Sequence, residues 1–319
     1  MTATQQHVPV LLEPALEALN IASAGRVVDA TYGRGGHSRA MLSRLGPDGR
    51  LIVIDQDPEA IAHARESLGS DPRVTVWHGN FAELERMARE LDVYGRVDAL
   101  LLDVGVSSPQ LDSPKRGFSF RDDGPLDMRM NPDAGESAAE WLARAEEAEI
   151  ARVIFEYGED RYARRIARSI VMARADEPIE RTAELAAIVA RAAGPSPADR
   201  HPATRTFQAI RIHINDELGA LDRALEQGVA ILSEGGRMAV ISFHSLEDRR
   251  VKQAFRALSS PPPASRRIPV APDFTPVVRQ VGKMIKPSRD EIRANPRSRS
   301  SRLRVVEKMS GDKTRGVAT

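Results

Sequence analysis

Three carboxylates stand where apolar runs end. Asp29 follows Val27-Val28, Asp55 follows Leu51-Ile52-Val53-Ile54, and Asp103 follows the run from Val97 to Leu102. Between the first two lies a glycine-rich turn, Gly33-Arg34-Gly35-Gly36-His37. Glycine removes Cβ where a chain must turn tightly or lay its backbone against a ligand. A carboxylate about 20 residues beyond such a turn, at the end of the next strand, is placed to accept hydrogen bonds from ribose hydroxyls. A tight turn with no ligand is the plainer reading of the same glycines.

The surroundings narrow the ligand. A nicotinamide fingerprint, G-x-G-x-x-G, needs glycine at position 38, where this chain has Ser38. Pyrophosphate cofactors use a helix N-terminus to hold negative charge, but here the acid Asp29 precedes the loop. That placement suits a cationic cofactor. S-adenosylmethionine carries a sulfonium, an ammonium and a ribose and no phosphate, so Asp29 and Asp55 together favour it.

The segment after Asp103, Val104-Gly-Val-Ser-Ser-Pro-Gln-Leu-Asp112, is expected beside the reactive end of the cofactor. Ser108-Pro109 resembles the Ser/Asn/Asp-Pro-Pro-aromatic loop of methyltransferases that act on exocyclic amines of bases. The N4 amine of cytosine delocalises its lone pair into the ring and is a poor nucleophile. A rigid segment offering oxygen acceptors, with Asp103, Ser107, Ser108 and Pro109 as its catalytic candidates, can orient the amine and favour a pyramidal nitrogen. The aromatic of that loop is absent and Gln110 follows Pro109, so a base would be stacked from elsewhere. Phe118 and Phe120 are candidates for stacking and equally for packing. The chain has no cysteine. Methylation of pyrimidine C5 normally needs a Cys nucleophile that adds to C6, so an exocyclic nitrogen or a hydroxyl remains as acceptor. Thiolate metal sites are excluded too. No H-x3-H or HExxH spacing appears, and no metal is expected.

The 319 residues carry a net charge of +1, from 46 basic and 45 acidic side chains. From Arg266 to Thr319 there are 14 basic and 5 acidic residues, so this segment is strongly positive and the remainder negative. A polyanion partner and a merely solvated surface both fit that run. The absence of cysteine fits a reducing cytoplasm. No basic stretch leads into an apolar run at the N-terminus, and no run approaches the length of a membrane span.

The elements that must position these residues alternate. Strand patterns at 27–29, 51–55, 74–77, 97–102 and 236–242 are separated by helical patterns at 38–45, 58–68, 81–91 and 215–232. This predicts an α/β fold with a doubly wound, mostly parallel sheet. Two further strands are expected at 276–281 and 302–307. Between Ser113 and Ile212 the rhythm is replaced by Ala, Glu and Arg at helical spacing, which predicts an inserted all-helical domain. The expected organisation is a discontinuous cofactor-binding core of 1–112 and 213–319, with 113–212 as a helical insertion suited to RNA recognition. Ser259-Ser-Pro-Pro-Pro-Ala-Ser265 reads as a stiff linker.

Several long motifs stand in one order: His7-Val-Pro-Val-Leu-Leu12, Thr31-Tyr-Gly-Arg-Gly-Gly-His-Ser38, Ile54-Asp-Gln-Asp-Pro58, Leu102-Asp-Val-Gly-Val-Ser-Ser-Pro-Gln-Leu-Asp112, Arg116-Gly-Phe-Ser-Phe120 and Gly124-Pro-Leu-Asp-Met-Arg-Met130. His201-Pro-Ala-Thr-Arg-Thr-Phe-Gln-Ala-Ile-Arg-Ile212, Ile241-Ser-Phe-His-Ser-Leu-Glu-Asp-Arg249 and Asn295-Pro-Arg-Ser-Arg-Ser300 follow. With these the sequence resembles the bacterial ribosomal RNA small subunit methyltransferase H family, also called MraW. The resemblance runs from near the first residue to about Lys308. It implies a class I (Rossmann-like) methyltransferase fold and transfer of a methyl group from S-adenosyl-L-methionine to N4 of a decoding-centre cytidine in 16S rRNA. The small ribosomal subunit or its rRNA is the implied partner, with no DNA and no membrane, and a monomer or homodimer in the cytoplasm.

The resemblance also implies cofactor contacts at Gly35, Gly36, His37, Asp55, Phe81, Asp103 and Gln110. Arg205 and Arg211 would hold RNA phosphates and His244 would border the target base. Alternatively these residues, with Asp127, Arg129, Gln208 and Asn215, knit the insertion to the core by buried hydrogen bonds. Three other classes stay in view. A DNA amino-methyltransferase lacks support in the altered Pro-Pro loop. Ser38 argues against a nicotinamide oxidoreductase. The intact loops argue against a non-catalytic RNA-binding factor.

Overall fold

The computed structural model describes residues 9–193, 201–261 and 274–310. The first residues of the His7 motif and most of the expected 259–265 linker lie outside them. The chain divides into two compact units, Met1–Gly105 with Leu218–Thr319, and Val106–Glu217. The cuts fall at Gly105 and Glu217, whereas the sequence reading put them at 112 and 212. The difference has a packing cause: Val106, Leu111 and Ile214 all pack against the apolar core of the helical unit.

In the first unit, seven strands form one sheet: β1 (Arg26–Asp29), β2 (Arg50–Asp55), β3 (Val74–His78), β4 (Val97–Asp103), β5 (Leu232–Ser242), β6 (Val278–Gln280) and β7 (Arg302–Lys308). Their order is β3-β2-β1-β4-β5-β7-β6. β3 through β5 run parallel, and β7 and β6 close the edge antiparallel. Alternate residues feed alternate faces. Val28, Ile52, Ile54, Leu100, Leu102, Met238 and Val240 belong to one core, with Met87, Leu221 and Phe255 from the helices over it. Val27, Leu51, Val53, Ala99, Leu101, Ala239 and Ile241 belong to the other, with Leu16, Met41 and Leu68. Both faces are covered, which is why these strands read as unbroken apolar runs. This is the doubly wound α/β fold expected from the sequence.

Local chemistry starts the helices. Asp57 caps the helix Pro58–Leu68 by accepting from Glu59 N at 3.0 Å, and Pro58 occupies its first turn. The expected helix 81–91 is a 3-10 turn, Phe81–Glu83, that leads into Leu84–Glu90, with Asn80 and Glu83 forming a capping box. The helix Leu12–Leu19 stands outside the expected elements, although its buried Ala15, Leu16 and Leu19 recur at helical spacing. It starts from Leu11 in a left-handed conformation (φ 52) with no side-chain cap of its own.

The second unit has a single core built from helices. Trp141, Ile150, Ile154, Ile166, Ile170, Leu185, Val189, Phe207 and Ile210 are buried in it. Ser137 caps the helix Ala138–Arg144 with Glu140 as its reciprocal partner. A Cβ on Gly158 would stand 2.9 Å from the Arg205 carbonyl, so the helices Glu147–Gly158 and Thr204–Ile214 cross where only glycine fits. Among the described residues no helix is long and apolar enough to cross a membrane.

Candidate cofactor-binding site

The sheet order reverses at β1, whose neighbours are β2 and β4. Open α/β sheets bind ligands at such a switch point, beyond the carboxyl ends of the strands. Asp29, Asp55 and Asp103 are the last residues of β1, β2 and β4, so the topology itself gathers the three carboxylates.

Each is held differently. Asp29 is buried and accepts from Ser38 Oγ at 2.5 Å and from Thr31 N at 3.2 Å. Asp55 accepts from Gly33 N at 2.8 Å through one oxygen and from Asp57 N at 2.9 Å through the other. Asp103 receives no such help at Oδ1, which is shut off from solvent without a hydrogen-bond partner among the described residues, although the side chain as a whole is only part-buried. Its main-chain N–H donates to Thr31 Oγ1 at 2.7 Å. Burial pushes the carboxyls of Asp29 and Asp55 up to about 6, against the hydrogen bonds that favour their anions. Asp103 is raised well above the usual range, first by burial, then by the charges of Asp29 and Glu247. Such a cluster is short of positive charge.

His37 is buried in the first turn of the helix Gly36–Arg44. Its Nε2 lies 3.1 Å from the Val10 carbonyl and its Nδ1 3.6 Å from Asp103 Oδ2. Burial lowers its pKa to about 4, so the ring is neutral near pH 7. A carbonyl can only accept, so Nε2 carries the proton and Nδ1 presents a lone pair. Nδ1 therefore presents its lone pair 3.6 Å from Asp103 Oδ2.

The glycines have a cause that sequence reading did not contain. Gly33 and Gly35 both have positive φ, 55 and 70. A Cβ on Gly35 would fall 2.6 Å from the Tyr32 ring, and one on Gly36 would fall 2.2 Å from Pro9. Neighbouring protein, not only a ligand, requires glycine at 35 and 36. Phe81 is partly buried and packs against one of the two sheet cores.

In the helical unit, Ser107 and Gln110 form a capping box: Gln110 Oε1 accepts from Ser107 N at 2.9 Å. Ser108–Asp112 is a short helix rather than an open loop, with Pro109 in its first turn. The carbonyls of Ser107 and Pro109 accept from Leu111 N and Ser113 N. They are engaged within the helix, which the sequence reading did not foresee.

Over residues 4–309 the sequence matches the MraW methylase family. The chain belongs to that family. It is 53% identical over 306 residues to the ribosomal RNA small subunit methyltransferase H of Stenotrophomonas maltophilia strain K279a, across 96% of this chain and 94% of that protein. Identity to the protein of the same name from Xylella fastidiosa strain M23 is 52% over 308 residues, covering 95% and 97%. Among solved structures it is similar to an rRNA methylase from Streptococcus thermophilus, with a TM-score of 0.41, 11% identity and coverage of 93% and 92%.

The remaining motif residues of this MraW methylase divide by what they touch. Arg211 makes a bidentate pair with buried Glu217, at 2.7 and 2.9 Å, within the helical unit. That occupied fork matches the structural alternative for this residue. Asn215 accepts from Met130 N and donates to the Met128 and Arg211 carbonyls, and Gln208 donates to the Tyr157 carbonyl. Asp127 pairs with Arg129. These are structural contacts. Phe118 is buried in the helical core, and Phe120 packs on His201 and Phe207 with ring centroids 4.7 Å apart in each case. Arg205 donates to the Glu159 carbonyl and is otherwise exposed. His244 caps the helix Ser245–Ser259 through Glu247 N.

Two groups of cations stay open to solvent. Arg161, Arg164, Arg165 and Arg168 are exposed at the start of the helix Ala163–Asp176 and have no carboxylate partner among the described residues. Arg161 and Arg165 lie 4.7 and 4.8 Å from the Tyr162 ring centroid. In the C-terminal segment, Asp248 takes Arg302 and Arg304 while Glu307 takes Arg237 and Arg279. Lys283, Lys286, Arg289 and Arg299 are exposed and have no such partner among the described residues. Sequence reading named the C-terminal group and missed the first, whose signal was Arg161-Tyr-Ala-Arg-Arg-Ile-Ala-Arg168.

Proposed function

We propose that this MraW-family methylase uses S-adenosyl-L-methionine to methylate the N4 amine of a decoding-centre cytidine in small-subunit (16S) rRNA, in the cytoplasm. The observation that carries the cofactor is the trio Asp29, Asp55 and Asp103 at the carboxyl ends of adjacent strands. Their raised pKa values favour a cationic ligand with N–H or O–H donors beside them. The substrate class rests on relatives more than 50% identical that are named for small-subunit rRNA.

The cofactor supplies an electrophilic methyl group on a positively charged sulfur. The chain's own residues hold and aim. Gly35 and Gly36 keep backbone close to the ligand, His37 Nδ1 and Asp103 Oδ2 take the ammonium end, and Asp55 accepts from ribose hydroxyls. Phe81 offers a ring face to the adenine. Asp103 Oδ1 draws one N–H of the target amine and takes up the proton that nitrogen must lose. The hydroxyls of Ser107 and Ser108, within five residues of Asp103, orient the amine, with Pro109 and Gln110 holding their turn closed. Positioning and electrostatics supply the rate. The absence of cysteine leaves the C5 route without a nucleophile.

Recognition of RNA is assigned to the helical unit, through Arg161, Arg164, Arg165 and Arg168, and to the C-terminal cations Lys283, Lys286, Arg289 and Arg299. A cytidine in structured RNA must be unstacked to react, so backbone contacts have to hold the flanking nucleotides.

Incubating the protein with methyl-labelled S-adenosylmethionine and small subunits from cells lacking the enzyme tests this reading. Nucleoside mass spectrometry should find the label in N4-methylcytidine. Label in another nucleoside would refute the acceptor, and failure to bind the cofactor would refute the site.

A further inference from the structure

We propose that Glu291 is a positioning residue for the cofactor site, acting through the backbone of Leu11 and Val10 on His37. Glu291 Oε1 accepts from Leu11 N at 2.7 Å, across 280 positions of sequence. Leu11 precedes the helix Leu12–Leu19 in a left-handed conformation, φ 52 and ψ 35, which an L residue with a branched side chain adopts at a cost. The carboxylate holds one of the N–H groups that the start of this helix leaves without an intrahelical partner. The turn in turn places two neighbours against the cofactor loop. The Val10 carbonyl accepts from His37 Nε2 at 3.1 Å, and Pro9 occupies the space that a Cβ on Gly36 would need.

The consequence is electronic as well as steric. The Val10 carbonyl ties down the Nε2 proton, so Nδ1 keeps its lone pair beside Asp103 Oδ2. If the turn relaxed, the ring would be free to take the other tautomer, and a donor would face the cofactor in place of an acceptor. Glu291 is itself held firmly. Its N–H donates to the Ser288 Oγ cap at 3.1 Å, and its carbonyl accepts from Asn295 N at 2.7 Å. It stands in the helix Arg289–Ala294, in the same stretch as the exposed Lys286, Arg289 and Arg299. One short element thus carries both a surface cation and the anchor of the cofactor loop.

The inference rests on His37 facing S-adenosylmethionine, and its test separates the two. Calorimetric titration of the intact protein with S-adenosylmethionine is paired with nitrogen NMR of the His37 ring in the unliganded protein. Glu291→Ala should weaken cofactor binding on the order of tenfold, while Glu291→Gln, whose Oε1 still accepts, should stay within about twofold of wild type. The ring signals of Glu291→Ala should move from the Nε2–H tautomer toward an average of the two. If Glu291→Ala does not fold, Glu291→Asp withdraws the acceptor by one methylene and should show the same changes at smaller amplitude. Unchanged affinity and unchanged ring signals in a folded variant would overturn the proposal, even with a lowered melting temperature. A wild-type protein that does not bind the cofactor would refute the cofactor reading, while the ring signals would still decide whether Glu291 governs His37.

Discussion

His37 Nδ1 lies 3.6 Å from Asp103 Oδ2, and near neutral pH the two are not an ion pair. Burial keeps the imidazole uncharged, with a pKa of about 4. Its only N–H already donates to the Val10 carbonyl. A donor lying between Nδ1 and Oδ2 can engage the His37 lone pair and the Asp103 carboxyl together. Asp103→Ala should therefore cost cofactor binding and methyl transfer together, the latter by at least about a hundredfold. RNA affinity, measured by filter binding, should change little. A variant that still transfers methyl groups at the wild-type rate would remove Asp103 from the chemistry.

Asp29 makes a different prediction, because its cost appears without any ligand. Its folded pKa, about 6, exceeds the usual 3.8. The stability it contributes is thus fully present below the unfolded value and lost as pH rises through about 6. Keeping the anion buried at pH 7.5 costs on the order of 3 kcal/mol. Asn at this position can still accept from Thr31 N and pair with Ser38. Asp29→Asn should raise the melting temperature of the ligand-free protein at pH 7.5, with the gain shrinking toward pH 4, and should weaken cofactor binding. Equal melting temperatures at pH 7.5 would show that Asp29 is not strained by burial.

Asp29 and Asp55 share the same window, since both rise to about 6. A cation bound against them pulls both toward the ionised form. Cofactor affinity should strengthen as pH rises from 5 to 7 and then level. Calorimetry across that range reads it directly; a flat profile would mean that neither carboxylate changes its proton on binding.

What the sequence disclosed follows from where information is local. Residues 51–55 and 97–103 read as strands because both faces of the sheet are covered, so nothing polar interrupts them. The strand ends gave the three carboxylates with their positions. The hold on those residues was not legible. Leu11 is anchored by Glu291 and His37 by Val10, contacts 280 and 27 positions apart that no short window contains. The glycines were recognised, but Tyr32 and Pro9, their neighbours in space, were not. Arg211 looked like a phosphate ligand because its partner, Glu217, becomes visible only when the helix ends at Asn215.

Those glycine neighbours are testable. Gly35→Ala places a Cβ at positive φ and 2.6 Å from the Tyr32 ring. It should lose roughly 1–3 kcal/mol of stability by chemical denaturation. Gly95→Ala is the control: its φ is also 70, but nothing lies within 4 Å of its Cβ position. The difference between the two isolates crowding from backbone strain. Equal losses would mean that Tyr32 yields freely.

Arg211 and the arginines around Tyr162 should fail in opposite ways. Removing Arg211 leaves Glu217 buried without its bidentate partner, which typically costs 3–5 kcal/mol. Arg211→Ala should thus unfold at much lower temperature, while the RNA binding of the protein that stays folded keeps its salt dependence. Replacing Arg164, Arg165 and Arg168 together by Ala removes three exposed cations with no carboxylate to strand. The melting temperature should hold, and the slope of log affinity against log salt should fall by about 2 if all three meet phosphates. The same slope measured for Lys283, Lys286 and Arg289 replaced together ranks the two surfaces. An unchanged slope in either triple variant would show that its cations are solvated and touch no RNA. That outcome would leave the exposed Arg205 as the cation to replace next, since its guanidinium spends only one N–H on the Glu159 carbonyl.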